Sequence, residues 1–168
     1  MIVSYSQLIG NDILSIDEQK SAGRVADLVI QKTDLKIKAA LVGKHFFWLP
    51  QKAVIFDDIV DINQSALVVQ NSENIIRLKE LLAIQKAIQS KCLGINQKVI
   101  TKSGSAVGIV YDYTFDSTSG LLYSLHVKKF LTDKIIPRSI IVEYNNNIFI
   151  IDDDYELVKN TNTVPETA

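Results

Sequence analysis

An internal repeat constrains the fold of this chain more than any other feature of its sequence. Residues 8–69 can be laid over residues 93–152. Each copy runs through a short apolar segment, a polar loop with a glycine, a long β-rich run, a turn, a further strand and a closing pair of short strands. Such self-similarity indicates one supersecondary unit used twice, so the two halves should share a topology.

Glycine, aspartate and proline residues define the alignment of the two copies. The aligned pairs are Gly10 with Gly94, Gly23 with Gly108, Asp27 with Asp112, and Pro50 with Pro137. A glycine between a loop and a strand usually supplies a backbone shape that a Cβ atom would oppose. An aspartate in that setting accepts hydrogen bonds from neighbouring amides. We therefore interpret these residues as structural positions rather than as a binding motif.

Short strands dominate each copy. The last two strands are separated by Asn63-Gln64-Ser65 in the first copy and by Asn145-Asn146-Asn147 in the second. Short loops rich in Asn and Ser are typical of hairpin turns. About five or six short strands per copy predict a small barrel, because closing a sheet on itself removes exposed strand edges. The predicted fold class is mainly β.

A segment of different character separates the copies. Residues 72–91 contain no Gly or Pro, and their apolar residues follow helical spacing, which predicts a helix of about five turns with a buried apolar stripe. The last residues are polar and lack periodicity. The predicted organisation is a β-rich domain over 1–71, a helical linker over 72–91, a second β-rich domain over 92–158 and a disordered tail over 159–168.

One pattern of residues occurs in both copies. It consists of a Gly before an apolar strand, a Gly-x-Val-x-Asp at the start of the next strand, and a strand that runs into Ile/Leu-Pro. Its members are Gly10, Gly23, Val25, Asp27 and Pro50, and then Gly94, Gly108, Val110, Asp112 and Pro137. The pattern resembles that of the PRC-barrel family, whose domains are known from the cytoplasmic part of the photosynthetic reaction centre H subunit and from a bacterial ribosome maturation factor.

The resemblance implies a specific architecture and a class of function. It implies two small PRC-type β-barrels in tandem, connected by an α-helix. It also implies a non-catalytic adaptor, and it carries over no catalytic residues.

Composition and charge narrow the class of partner. Eighteen basic and nineteen acidic side chains give a net charge of −1, so binding of nucleic acid or an anionic membrane would need a local patch. Cys92 is the single cysteine, and no apolar run is long enough to span a membrane. These features predict a soluble, cytoplasmic protein without disulfide bonds.

No arrangement typical of a catalytic or metal site is visible in the sequence. His45 and His126 have no second His or Cys at metal-ligand spacing. The consecutive carboxylates 152–154 would point alternately to opposite sides of an extended chain, which does not suit a calcium loop. No nucleophile motif with oxyanion-hole glycines occurs. We therefore expect neither an enzyme nor a bound cofactor or metal ion.

Two phenylalanines form the first candidate partner surface. Aligning the prolines places Phe46 and Phe47 opposite Asp133 and Lys134, so the first copy is apolar where the second is charged. Equivalent positions of two barrels should face solvent in both. The phenylalanines should therefore be covered by the linker helix, by the other barrel or by a partner.

A basic cluster forms the second candidate surface. It contains Lys128, Lys129, Lys134 and Arg138. Such a cluster can contact RNA or an acidic partner, although RNA-binding surfaces usually interleave cations with exposed aromatic rings. The predicted function is an adaptor or assembly module that binds an unidentified protein, with homo-oligomers possible. The alternative is an RNA- or ribosome-associated maturation factor that uses this basic cluster.

Overall fold

The structure is a computed structural model that describes residues 1–43, 52–89 and 94–155. The predicted tail, as well as Phe46, Phe47, Pro50 and Cys92, lies wholly outside these residues. The elements in chain order are β1 (Ile2–Ser4), α1 (Tyr5–Leu8), β2 (Asp12–Ser15), β3 (Lys20–Gln31), β4 (Lys36–Val42), β5 (Lys52–Ile55), β6 (Ile59–Ile62), β7 (Ala66–Val69), β8 (Ile76–Arg77), α2 (Leu82–Gln89), β9 (Lys98–Thr101), β10 (Ala106–Asp116), β11 (Leu122–Lys129), β12 (Thr132–Pro137), β13 (Ile141–Asn145) and β14 (Ile148–Ile151). The prediction of a mainly β fold is confirmed.

Two seven-stranded sheets repeat one strand order. The first sheet runs β6-β7-β2-β3-β4-β5-β8. The second runs β12-β11-β10-β9-β14-β13, and β1 pairs with β10. Read from the opposite end, the second order matches the first over six strands, and β8 and β1 have no counterpart in the other sheet. The parallel pairs match as well, since β2 lies parallel to β7 and β9 lies parallel to β14.

The strand register supports the equivalence of the two Gly-x-Val-x-Asp segments. In β3, Asp27 pairs with Leu41, and in β10, Asp112 pairs with His126, each directly after a β-bulge. A Cβ atom on Gly23 would lie 2.7 Å from Val42, and one on Gly108 would lie 2.5 Å from the Lys128 carbonyl oxygen. Glycine is needed at both positions because the neighbouring strand leaves no room for a side chain.

The pairing of Gly10 with Gly94 is wrong. The Gly10 amide donates to the Val25 carbonyl, and the Asn96 amide donates to the equivalent Val110 carbonyl. Both residues have positive φ, +87° for Gly10 and +61° for Asn96, so Asn96 is the counterpart of Gly10. Asn reaches the left-handed region at lower cost than most residues, which is why the second copy can dispense with glycine there.

The pairing of Pro50 with Pro137 is also wrong. Pro137 pairs with Ser124 on β11, and Ile55 pairs with the equivalent Ala39 on β4. Ile55 is therefore the counterpart of Pro137, and each precedes a short 3₁₀ turn.

The reason for this error is the number of residues between two strands. The connection between β4 and β5 runs over 43–51, whereas only residues 130 and 131 separate β11 from β12. Phe46 and Phe47 lie outside the described residues, and their comparison with Asp133 and Lys134 does not hold because the register gives Lys134 another counterpart. The counterpart of Lys134 is Lys52.

The helix predicted over 72–91 is much shorter in the structure. Residues Ser72–Asn74 and Leu78–Glu80 form 3₁₀ turns, and β8 between them pairs with β5. Among the described residues 72–89 of this segment, only α2, at Leu82–Gln89, is an α-helix. Pairing with the edge of β5 competes successfully with helix formation because β-branched residues such as Ile76 favour strands.

The two sheets join through a symmetric pair of backbone hydrogen bonds. The Ile37 amide donates to the Gly120 carbonyl at 2.8 Å, and the Leu122 amide donates to the Leu35 carbonyl at 2.9 Å. Leu35 and Gly120 occupy equivalent turns, and both have positive φ. One contiguous apolar core then includes buried residues of both sheets, and the N-terminal strand β1 belongs to the second sheet.

Helix α1 links the two repeated aspartates. The Tyr5 hydroxyl donates to Asp27 at 3.0 Å. The Ser6 amide and hydroxyl donate to Asp112 at 3.0 and 2.6 Å. Each buried aspartate also accepts from the amide of the residue that follows it, at 2.8 Å from Leu28 and 2.9 Å from Tyr113. Both aspartates therefore bind the same short helix.

We expect Asp112→Ala to lower the free energy of unfolding by about 2–3 kcal/mol, because the Ser6 and Tyr113 amides lose a buried acceptor. The matched Asp112→Asn variant keeps one oxygen acceptor and should lose about 1 kcal/mol or less. Urea unfolding followed by circular dichroism measures both. Equal midpoints for wild type and Asp112→Ala would contradict the role of this contact.

Burial raises the pKa of Tyr5 above its ordinary value of 10.0, and the adjacent Asp27 carboxylate raises it further. Burial likewise raises the pKa of Tyr113. Above pH 10 the unfolded chain ionises these phenols while the folded chain keeps them protonated, so stability should fall as the pH rises beyond 10. The fall should be shallower in Tyr5→Phe. Urea unfolding between pH 9 and pH 11 tests this, and parallel profiles for the two proteins would refute it.

Candidate functional site

The outer face of the first sheet is covered by its own chain. Val29, Ala39, Leu41 and Ala53 form a buried cluster with Ile84 of α2. Further apolar residues around and within α2 pack against the same cluster: Leu78, Leu81, Ala87 and Ile88. The edge of β5 is paired with β8, so both the face and the edge of this sheet are occupied.

The equivalent face of the second sheet differs in chemistry. The register replaces Val29 with Thr114, Ala39 with Ser124, Leu41 with His126 and Ala53 with Ile135. The Thr114 and Ser124 hydroxyls are buried and hydrogen-bond each other at 2.7 Å. Ile135 is 61% exposed, whereas Ala53 is fully buried.

We call this surface the open face and define it by Tyr111, Ser124, His126, Ile135 and Pro137. Its outermost strand, β12, ends the strand order of the second sheet, and no described strand pairs with its free edge. Within residues 1–43, 52–89 and 94–155, no helix covers the open face as α2 covers its counterpart. The described chain therefore presents an unpaired edge beside an apolar side chain.

The open face contains an aromatic pair. Tyr111 lies at the bulge of β10, where the first copy has Ala26, and its ring meets that of His126 edge-on with the centroids 6.0 Å apart. Partial burial raises the pKa of Tyr111, and the carboxylates of Asp133 and Asp112 add to the effect. The phenol therefore stays protonated at neutral pH and can donate a hydrogen bond to a bound molecule.

A cleft of about 690 Å³ extends from the open face toward the 3₁₀ turn after β12. Its walls combine apolar side chains with a cation and several hydroxyls, and they include Tyr123, Ile135, Pro137, Arg138 and Tyr155. The Arg138 guanidinium donates to the Asp34 carbonyl at 3.0 Å, which anchors it to a turn of the first copy. Such a mixture can hold an apolar side chain and one polar group of a ligand.

The predicted basic cluster does not form one patch. Lys128 and Lys129 end β11, and Arg138 lies beyond the far end of β12, roughly 20 Å away for a six-residue strand. The Lys129 ammonium donates to the Ala106 carbonyl at 2.6 Å, and that of Lys134 donates to the Tyr155 hydroxyl at 2.7 Å. Most of these cations therefore already bind groups of their own chain.

The acidic run near the end of the described chain has local partners. Asp152 pairs with Lys102 at 3.2 Å, and this contact lowers its pKa. Asp153 accepts from the Ser103 amide at 3.1 Å. Among the described residues, no group of three or more His, Cys, Asp or Glu side chains is arranged to hold a metal ion.

Sequence reasoning missed most of the open face. Tyr111, Ser124 and Ile135 were not singled out, and His126 was considered only as a metal ligand. The signal was present in the repeat, because Ala26, Ala39 and Ala53 align with these larger or more polar residues. These differences are seen only when the copies are aligned by their strand register. Aligning Pro50 with Pro137 instead pairs the residues of β12 with the wrong residues of the first copy.

The sequence matches no protein-family model and no curated protein. No helix of the described residues is both long enough and apolar enough to cross a membrane. Function must therefore be inferred from the geometry of the open face.

The buried hydroxyl pair of the open face can be tested by a double-mutant cycle. Thr114→Val or Ser124→Ala alone leaves one buried hydroxyl unpaired and should cost about 1–2 kcal/mol of unfolding free energy. The double variant removes both hydroxyls and should cost no more than either single change. Additive losses in urea unfolding would show that the two hydroxyls do not depend on each other.

Proposed function

We propose that this chain is a non-catalytic adaptor of the PRC-barrel type whose open face binds a segment of a partner protein. In this proposal each sheet is a small barrel, the two barrels stand in tandem, and the protein acts in the cytoplasm. The repeated strand order and the Gly-x-Val-x-Asp segments support the family assignment. The open face supports the mode of binding.

One observation carries the proposal. The first copy fills its outer face and its β5 edge with β8 and α2, and the equivalent face and edge of the second copy have no described cover. The first copy thus displays, within the same chain, the kind of segment that such a surface accepts. It is an extended stretch followed by an apolar helix.

The expected partner segment adds a strand to the free edge of β12. Main-chain hydrogen bonds to the edge would supply affinity, and side chains seated in the cleft would supply specificity. An aliphatic side chain suits the surface formed by Ile135, Tyr123 and Pro137. A carboxylate or carbonyl of the partner suits the exposed Arg138 head group at the end of the cleft.

Cross-linking at the open face tests this function. A photoreactive phenylalanine analogue replaces Ile135 in the full chain, and in a control it replaces Val60, which is 54% exposed on β6. We expect a defined protein from lysate of the source organism to be cross-linked at position 135 and not at position 60. Ile135→Asp should abolish its capture, and Val60→Asp should leave capture unchanged.

The other outcomes distinguish the alternatives. Loss of capture after nuclease treatment, or a steep decrease with added salt, would favour the RNA-associated function, because counterion release makes such binding salt-sensitive. A cross-linked product of twice the chain mass would identify a second copy as the occupant. An intramolecular cross-link that disappears in a variant ending at Tyr155 would assign the face to residues 156–168. Each of these results would overturn the proposal.

A further inference from the structure

The tip of the β11–β12 hairpin exposes two large apolar side chains. Lys129 and Thr132 form the last pair of the hairpin, so Phe130 and Leu131 make up its two-residue turn. Phe130 is 88% exposed and Leu131 is fully exposed. Neither side chain belongs to the apolar core, and the fold gains no burial from them.

The backbone of this turn favours a different residue. Phe130 has a φ of +53°, in the left-handed region where a bulky side chain is unfavourable and where two-residue hairpin turns usually carry Gly or Asn. The same chain uses such residues elsewhere. The two-residue turn between β13 and β14 consists of Asn146 and Asn147, both with positive φ.

This contrast indicates that the tip is not optimised for the fold. An Asn or Gly at position 130 would relieve the backbone and remove an exposed ring from water. Leu35 has the same φ in a turn at the joint of the sheets, so the positive φ of Phe130 is informative only together with the exposure of its side chain. The apolar pair at the tip therefore has to be explained by what it contacts in a complex.

Positive charge flanks the apolar pair. Lys128 and Lys129 precede it, and Lys134 follows it after one acidic residue, Asp133. The Lys129 ammonium lies against the Ala106 carbonyl, which keeps this charge near the base of the tip. The hairpin therefore has two apolar side chains at its tip and basic residues next to them in the strands.

We propose that Phe130 and Leu131 insert into the interface of an anionic lipid surface, with Lys128 contacting the headgroups and the Lys129 ammonium adding positive charge at the base of the tip. Peripheral attachment needs an apolar anchor together with electrostatic attraction, and this hairpin has both. Lysines next to an inserted apolar group can keep their ammonium groups at the phosphate level. A stable protein interface needs roughly 1,200 Å² or more of buried surface, which two side chains at a tip cannot provide.

Vesicle co-sedimentation of the full chain tests the proposal. The vesicles are phosphatidylcholine alone or phosphatidylcholine with phosphatidylglycerol. We expect sedimentation with the anionic vesicles only, and a decrease as salt is added. The double variant Phe130→Asn, Leu131→Gly should bind on the order of tenfold more weakly or worse.

The variants control for folding and for charge. Asn-Gly is the preferred sequence for a two-residue hairpin turn, so the double variant should unfold at the same urea concentration as wild type or at a higher one. Lys128→Gln with Lys129→Gln should weaken binding and flatten its salt dependence. Val142→Asn, which removes a half-exposed apolar side chain from β13, should leave vesicle binding unchanged.

Two results would overturn the inference. The first is wild-type protein that stays in the supernatant with anionic vesicles at low salt, which would leave a protein pocket as the ligand of the tip. The second is equal binding by the Asn-Gly variant. Both readouts are independent of Ile135, so failure here would leave the proposed adaptor function of the open face untouched.

Discussion

The joint between the two sheets depends on two buried aspartates and one short helix. Asp27 and Asp112 each accept an amide hydrogen bond from the next residue, and each also binds a side chain of α1. A buried carboxylate is tolerated only when donors surround it. Because α1 supplies donors to both aspartates, moving the N-terminal segment away from either sheet would leave both carboxylates without these hydrogen bonds. The paired hydrogen bonds at Leu35 and Gly120 then align the two sheets symmetrically.

Symmetry at the joint makes the asymmetry elsewhere informative. Both sheets share a strand order and the same β-bulges, so the backbones of their outer faces are equivalent. The two faces differ only in their side chains. In the first copy small apolar residues allow α2 to pack closely. In the second copy the rings of Tyr111 and His126 carry polar groups that a tightly packed apolar helix could not cover without losing hydrogen bonds to water. The first copy thus covers its outer face with its own helix, and the equivalent face of the second copy has the residue types of a binding surface.

The open face and the hairpin tip belong to the same hairpin. Ile135 lies on β12, and Phe130 and Leu131 join β12 to β11. A molecule attached to lipid through the tip would therefore hold the free edge of β12 close to the surface. The two proposals describe different contacts, but the hairpin would bring their ligands near each other, as expected of an adaptor.

Much of the fold could be predicted from residue types, because strand propensity and turn chemistry act locally. The mainly β class, the repeat and the equivalence of Asp27 with Asp112 followed from such local patterns. The alignment of Gly10 failed because Asn96 can adopt the same left-handed backbone, and the alignment of Pro50 failed because nine residues separate β4 from β5 whereas two separate β11 from β12. The pattern over 72–91 fits a helix, but β8 forms because the edge of β5 offers it hydrogen bonds.

The sequence by itself determined that two copies of one β unit exist and that an Asn-containing turn joins the last two strands of each, since these depend on glycine, asparagine and β-branched residues at fixed spacing. Tertiary structure alone decided that β1 joins the second sheet, that α1 holds both aspartates, and that the outer face of one copy is covered while its counterpart has no described cover. Those outcomes depend on contacts between residues far apart in the chain, and short-range patterns carry no record of such contacts.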